Sequence, residues 1–253
     1  MIVDRIPDGA LVLDCRHKTR QPGAGYQSFE AGHLPGARHL NLDTQLSAPA
    51  RPDGVGGRHP LPDPVTFGAL MRRCGLSTGQ LVVGYDDIGG AYAARLWWLL
   101  RWLGHDNVAV LSGGLSAVDV PLESGPAAPA VAGDWQPRLC PERVATRSEA
   151  ASVGLLIDAR APGRFRGEHE PLDPIAGHIP GAINRPWTDA LADGRLTRAP
   201  DIPQGPGIVY CGSGVTACVT LLLLEGAGRT DLRLYPGSWS DWLAAGGPVA
   251  TGP

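Results

Sequence analysis

The sequence predicts an α/β protein of two tandem domains, each a mostly parallel sheet with helices on both faces. Short apolar runs typical of strands alternate with longer apolar stretches of helical spacing. This alternation is the pattern of a parallel sheet covered by helices. Four segments of the first half also recur in the same order in the second half, which indicates a duplicated domain.

The four recurring segments carry strands and turn motifs. The pairs, first copy then second, are Leu11–Arg16 and Leu155–Arg160, Phe29–Ala37 and Ile175–Ala182, Leu81–Asp86 and Gly207–Cys211, Val108–Gly114 and Leu232–Ser238. Both copies of the second pair contain Gly-His-x-Pro-Gly-Ala. Each unit therefore reads as strand, loop, a short strand at that motif, helix, strand, helix and strand.

Composition predicts where the two domains divide. Residues 1–120 form the first domain, residues 121–139 a linker rich in Ala, Pro and Gly, and residues 140–253 the second domain. The first domain has more residues between its motif histidine and its later strand than the second does. The excess includes residues 47–64, rich in Pro and Gly, which we interpret as a long loop reaching towards the other domain.

Charge and cysteine content narrow the possible functions. The net charge is −3 and no long basic run occurs, which argues against nucleic-acid or membrane-surface binding. No apolar stretch approaches a membrane span, and the first residues lack the layout of a signal peptide. The five cysteines form no CxxC pair, so we expect free thiols, a cytoplasmic location and no metal centre.

A cysteine stands at the turn between a predicted strand and a predicted helix. Residues 208–210 are a short apolar strand, Cys211 follows, and an apolar helix begins near Val215. Unpaired N–H groups and the helix dipole at such a turn stabilise a thiolate, so we expect a lowered pKa and a nucleophilic sulfur. Gly212 and Gly214 let the backbone curl around the sulfur, and the N–H groups of residues 212–216, which include Val215 and Thr216, are predicted to bind the substrate. A buried structural cysteine is the alternative.

The stretch Cys211-Gly-Ser-Gly-Val-Thr-Ala resembles the active-site loop of two-domain rhodanese-type sulfurtransferases, in the form found in 3-mercaptopyruvate sulfurtransferases. Tyr235-Pro-Gly-Ser-Trp-Ser-Asp-Trp resembles the motif near the end of their catalytic domain. The resemblance covers nearly the whole chain and implies two rhodanese-like domains. Asp86 stands where Cys211 stands in the second copy, which implies that the first domain is catalytically inactive.

The resemblance also implies which arginine binds the sulfur donor. Residues 163–168 resemble the family's Gly-Arg-Phe-x-Gly-x-Glu segment, and Arg164 matches its substrate-binding arginine. The family has a further arginine in a Glu-Pro-Arg sequence, where this chain has Leu172. Arg160, Arg166 and Arg185 are candidates to compensate for that loss.

Two histidines lie in the repeated motif, His33 and His178. Because the motif occurs in both halves, its basic role is expected to be structural. The resemblance nevertheless implies that the first-domain histidine is a catalytic partner of the loop serine, so His33 and Ser213 are candidate catalytic residues. No aspartate matches the third member of that set.

These observations predict a sulfurtransferase that works through a cysteine persulfide. The donor would be a small anion, 3-mercaptopyruvate or alternatively thiosulfate, and the acceptor cyanide, a thiol or a thioredoxin-like protein, with no cofactor. The thiosulfate-using relatives tend to have basic side chains at the positions of Gly212 and Ser213. A cysteine-based phosphatase or arsenate reductase is disfavoured, since Ala217 stands where that chemistry needs arginine. A non-enzymatic sulfur carrier is disfavoured by the intact Cys211 loop.

Overall fold

The computed structural model describes residues 1–253. The chain forms two compact units, and the predicted pair of α/β domains is confirmed. The first unit contains Met1–Ala48, Pro62–Cys140 and Asp193–Leu196; the second contains Pro49–Leu61, Pro141–Ala192 and Thr197–Pro253. Neither unit is continuous in sequence, because Pro49–Leu61, within the long predicted loop, belongs to the second unit. The domain limits at residues 120 and 140 stay predictions.

The first unit is built on a five-stranded parallel sheet. Its strands are Ile2–Val3 (β1), Leu11–Asp14 (β2), Arg38–His39 (β3), Val82–Tyr85 (β4) and Val108–Leu111 (β5). Their order is β1-β5-β4-β2-β3, and all pairs are parallel. Parallel neighbours need long connections, which contain Ala24–Ala31 (α1), Pro64–Arg73 (α2) and Ala91–Trp102 (α3). Every residue of β2, β4 and β5 is buried, as expected for a sheet covered on both faces.

The second unit repeats this plan with four parallel strands. The principal strands and helices are Leu156–Asp158 (β6), Ala182–Asn184 (β7), Gly207–Tyr210 (β10), Leu232–Leu234 (β11), Arg147–Ala150 (α4), Pro162–Arg166 (α5), Ala217–Gly226 (α6) and Ser238–Ala244 (α7). The connection between β7 and β10 contains two further short strands, Leu191–Ala192 (β8), which belongs to this unit, and Arg195–Leu196 (β9), which belongs to the first unit. The sheet order is β11-β10-β6-β7. Strand β10, which ends just before Cys211, is therefore a central strand.

The second unit departs from the prediction between β7 and β10. A helix was expected there, and the structure has only a 3₁₀ turn at Trp187–Ala190 besides β8 and β9. Four prolines, at 186, 200, 203 and 206, lie in this connection. Proline lacks the N–H that a helix interior requires. A second difference is that α1 and α5 are helices where a loop was expected.

Each unit has its own apolar core. In the first, Val12, Phe29, Val83 and Leu111 are among the buried side chains; in the second, Leu156, Ile179, Ile208 and Trp239 are. No helix is long and apolar enough to cross a membrane.

Candidate active site

Cys211 lies at the carboxyl end of β10, the position at which parallel sheets place their ligand sites. Its side chain is buried, with 2% of the residue exposed. Two hydrogen bonds connect the loop to the start of α7: the Cys211 N–H donates to Oγ of Ser238 at 3.1 Å, and the Trp239 N–H donates to the Cys211 carbonyl at 3.0 Å. These contacts fix the backbone that carries the sulfur.

Hydrogen bonds lower the pKa of the Cys211 thiol. Burial raises the pKa of a thiol, but hydrogen bonds from the Thr216 side chain and from backbone N–H groups of residues 213, 217 and 214 outweigh it. The pKa of Cys211 is therefore lowered from its ordinary value. Burial instead raises the pKa values of Cys15 and Cys74. The thiolate expected from the sequence is thus favoured at Cys211.

The first unit contains a buried acceptor in the corresponding loop. Asp86 follows β4 as Cys211 follows β10, and its two carboxyl oxygens accept four backbone N–H bonds. The donors, at 2.8–3.0 Å, are residues 88, 90, 92 and 93. Burial raises the pKa of Asp86, and the N–H bonds act in the opposite direction. The strand-to-helix loop of this fold therefore converges N–H groups on one side chain, which in the second unit is a thiol.

Ser213 contacts a histidine that the sequence analysis did not single out. Nδ1 of His59 lies 2.7 Å from Oγ of Ser213. His59 belongs to the Pro49–Leu61 segment, which is fastened to α7: the Gly56 N–H donates to Asp241 at 2.8 Å and the Arg58 N–H donates to the Ser240 hydroxyl at 3.1 Å. Ser240 and Asp241 thus fix the segment that carries His59.

His33 and His178 make matching contacts in their own units. Nδ1 of His33 lies 2.8 Å from the Phe29 carbonyl, and Nδ1 of His178 lies 2.8 Å from the Phe165 carbonyl. Each ring also stacks on that phenylalanine, with centroids 3.7 Å apart. This repetition agrees with a structural role for the motif histidine. The catalytic role of His33 stays a prediction.

Arg164 and Arg58 both reach the Cys211 loop. A Cβ atom built on Gly212 would lie 2.9 Å from Nη2 of Arg58 and 3.1 Å from Nη2 of Arg164. Glycine at 212 leaves the room that these two guanidinium groups occupy. Burial and the charge of Arg164 lower the pKa of Arg58, and the nearby Cys211 sulfur counters this.

The three arginines considered as substitutes at Leu172 each have protein partners. Arg160 is buried and hydrogen-bonded to Asp158, to Glu170 and to the Gly177 carbonyl. Arg166 pairs with Glu168 on the surface, and Arg185 donates to two backbone carbonyls.

The remaining loop residues hold its shape. Gly214 has φ +75°, and a Cβ there would lie 2.2 Å from the Pro236 carbonyl oxygen, so no other residue fits without rearrangement. Val215 is 4% exposed. No group of three or more His, Cys, Asp or Glu side chains is arranged to hold a metal ion.

Comparison with known proteins yields a consistent set of relatives. The rhodanese-like domain profile matches residues 2–119 and again residues 141–245. A protein of Pseudomonas aeruginosa named "Probable 3-mercaptopyruvate sulfurtransferase" is 44% identical, covering 96% of this chain and 92% of its own length. A "Putative thiosulfate sulfurtransferase" of Mycobacterium tuberculosis is 39% identical, over 93% and 88%. The structure of 3-mercaptopyruvate sulfurtransferase from Leishmania major superposes with a TM-score of 0.80 at 28% identity, over 94% of this chain and 71% of that one.

Proposed function

The chain belongs to the rhodanese-like sulfurtransferases, and from this premise we propose that it moves sulfane sulfur from 3-mercaptopyruvate to a thiophilic acceptor. The observation that carries the proposal is the Cys211 loop. It combines a thiol of lowered pKa with convergent N–H groups and a hydroxyl–imidazole contact at Ser213.

The first half-reaction loads the enzyme. The Cys211 thiolate attacks the donor sulfur, an S–S bond forms, and the carbon–sulfur bond breaks with its electron pair left on carbon. The product leaves as the enolate of pyruvate, and the outer sulfur remains on Cys211 as a persulfide. The N–H groups of residues 213, 214 and 217, which donate to the Cys211 sulfur, stabilise the negative charge on the outer sulfur, as an oxyanion hole does for oxygen.

The enolate then needs a proton at carbon. In the proposed mechanism Ser213 delivers this proton, and His59, whose Nδ1 lies 2.7 Å from the hydroxyl, replaces it. In this mechanism His59 has the role that the resemblance gave to His33. Arg164 binds the donor carboxylate by a charge-assisted hydrogen bond.

The second half-reaction unloads the enzyme. A thiolate or cyanide attacks the outer sulfur, the S–S bond of the persulfide breaks, and its electron pair returns to Cys211. A thioredoxin-like protein fits the thiol class of acceptor. The N–H groups that held the persulfide then hold the leaving thiolate, so one loop serves both steps.

The two histidines can be separated by substitution. We expect His59→Gln to lower kcat with mercaptopyruvate by about 10²–10⁴-fold, the usual contribution of general acid–base catalysis. His33→Gln is the matched variant. We expect it to lower the free energy of unfolding, because the contact of the imidazole with the Phe29 carbonyl is lost, and to leave kcat much less affected than His59→Gln does. A large kcat loss in His33→Gln alone, with stability intact, would return the role to His33.

Thiosulfate is the second candidate donor. Arg58 and Arg164 bring two positive charges to the loop, although Gly212 and Ser213 themselves have none, and a dianion gains from such charge. Steady-state sulfur transfer to cyanide from both donors in parallel decides between them. We expect the higher kcat/KM with mercaptopyruvate, since only that donor uses the proton delivered through Ser213. A higher kcat/KM with thiosulfate would reverse the assignment.

A further inference from the structure

Two guanidinium groups from distant parts of the chain meet beside Gly212. Arg164 belongs to α5, and Arg58 belongs to the Pro49–Leu61 segment, more than a hundred residues earlier. Both Nη2 atoms lie close to the point where a Cβ of residue 212 would stand, at 2.9 Å for Arg58 and 3.1 Å for Arg164. They therefore border the same small space next to the nucleophile.

A shared carboxylate holds the two like charges together. Oδ1 of Asp173 pairs with Nη1 of Arg58, and Oδ2 of Asp173 lies 3.2 Å from Nη2 of Arg164. Glu170 accepts a further bond from Nε of Arg164 at 2.8 Å. The side chains of Asp173 and Glu170 are each only 3% exposed, so this support is built into the fold. A guanidinium has five N–H donors, so each arginine retains donors for a ligand.

The pair fits a small carboxylate better than either arginine does alone. Burial, and after it the positive charge of Arg164, lower the pKa of Arg58, so a further anion bound between the two groups favours its charged form. Guanidinium groups match the two oxygens of a carboxylate in geometry and charge. The side chain of Arg58 is 31% exposed and that of Arg164 15% exposed, which leaves Arg58 reachable from solvent.

We infer that Arg58 is a substrate-positioning residue that forms, with Arg164, a two-guanidinium clamp for the carboxylate of the sulfur donor. The inference rests on the proposed function. Leu172 cannot bind the donor carboxylate, and the inference assigns this second contact to Arg58, in the N-terminal half of the chain. The donor class it selects is a small thiol whose carboxylate lies a few bonds from the sulfur. The clamp sets the distance between that carboxylate and Cys211.

Arg58→Ala tests the clamp with two donors that differ only in the carboxylate. With mercaptopyruvate we expect kcat/KM to fall about 10- to 100-fold, through KM, since a hydrogen bond between charged groups contributes about 1.5–3 kcal/mol. With mercaptoacetone, which has the same thiol and carbonyl but no carboxylate, we expect the variant and the parent to react alike. Arg58→Lys keeps the positive charge but lacks the planar guanidinium that binds both carboxylate oxygens, and it should recover part of the loss with mercaptopyruvate.

Arg51→Ala is the matched control. Arg51 lies in the same segment, pairs with Asp53 and is exposed, so its removal should leave both donors unaffected. Unchanged mercaptopyruvate kinetics in Arg58→Ala, or an equal loss with both donors, would overturn the clamp while the parent's turnover keeps the proposed function intact. A parent protein that transfers no sulfur from mercaptopyruvate would overturn both.

Discussion

Replacing Thr216 with valine removes one hydrogen bond from the Cys211 sulfur and keeps the shape of the side chain. The Thr216 hydroxyl is the largest of the contacts that lower the pKa of Cys211. A hydrogen bond to a charged group contributes about 1.5–3 kcal/mol, and one pKa unit corresponds to about 1.4 kcal/mol. Thr216→Val should therefore raise the pKa of Cys211, and sulfur loading near neutral pH should slow by about 10- to 100-fold.

The assay is the rate of Cys211 alkylation by iodoacetamide as a function of pH. Thr220→Val is the matched control on α6, because the Thr220 hydroxyl is buried and has no hydrogen-bond partner. The control should leave the pKa of Cys211 unchanged and increase the free energy of unfolding by up to about 1 kcal/mol, since an unpaired buried hydroxyl is removed. The reasoning is refuted if Thr216→Val gives the same alkylation profile as the parent and as the Thr220→Val control.

Three further predictions follow from the loop and the cysteines. Gly214→Ala should lower the free energy of unfolding in urea by roughly 2 kcal/mol or more, because it meets the Pro236 carbonyl at positive φ; a change below about 0.5 kcal/mol would contradict this. At about pH 7, alkylation should modify Cys211 well before Cys15 or Cys74, whose pKa values burial raises; equal labelling would be the contrary result. The lowered pKa of folded Cys211 contributes stability that is complete above the pKa of an unfolded cysteine, about 8.5, and is lost as pH falls through the folded value. The stability difference between the parent and Cys211→Ser should therefore grow as pH rises towards about 8.5, and a difference that shrinks would be inconsistent.

The fold was predictable because its signals are local and occur twice. Apolar runs such as Leu11–Asp14 and Gly207–Tyr210 are short and flanked by turns, and both became buried parallel strands. The expected helix between β7 and β10 was wrong. It was inferred from the strand–helix alternation of the whole unit, although the prolines at 186, 200, 203 and 206 disfavour a helix there.

The candidate site was predictable only where it is contiguous. The loop after Cys211 is one stretch of chain, so the strand–turn–helix pattern alone indicated that N–H groups of this loop meet the sulfur. The N–H of Ala217, which also donates to it, lies beyond the predicted residues 212–216. His59 and Arg58 lie in an irregular segment without periodicity, and they reach the loop through tertiary contacts with Ser213, Asp173 and Ser240. The only sequence signal was the length of the Pro- and Gly-rich insertion, which indicated a long loop but not which side chains it carries.

The mass of the intact protein after exposure to mercaptopyruvate, followed by peptide mapping, tests the central claim most directly. The persulfide mechanism predicts a gain of one sulfur atom on Cys211, its loss on addition of cyanide with formation of thiocyanate, and no gain in Cys211→Ser. Added sulfur on Cys218 instead of Cys211, or turnover without any sulfur on Cys211, would contradict it.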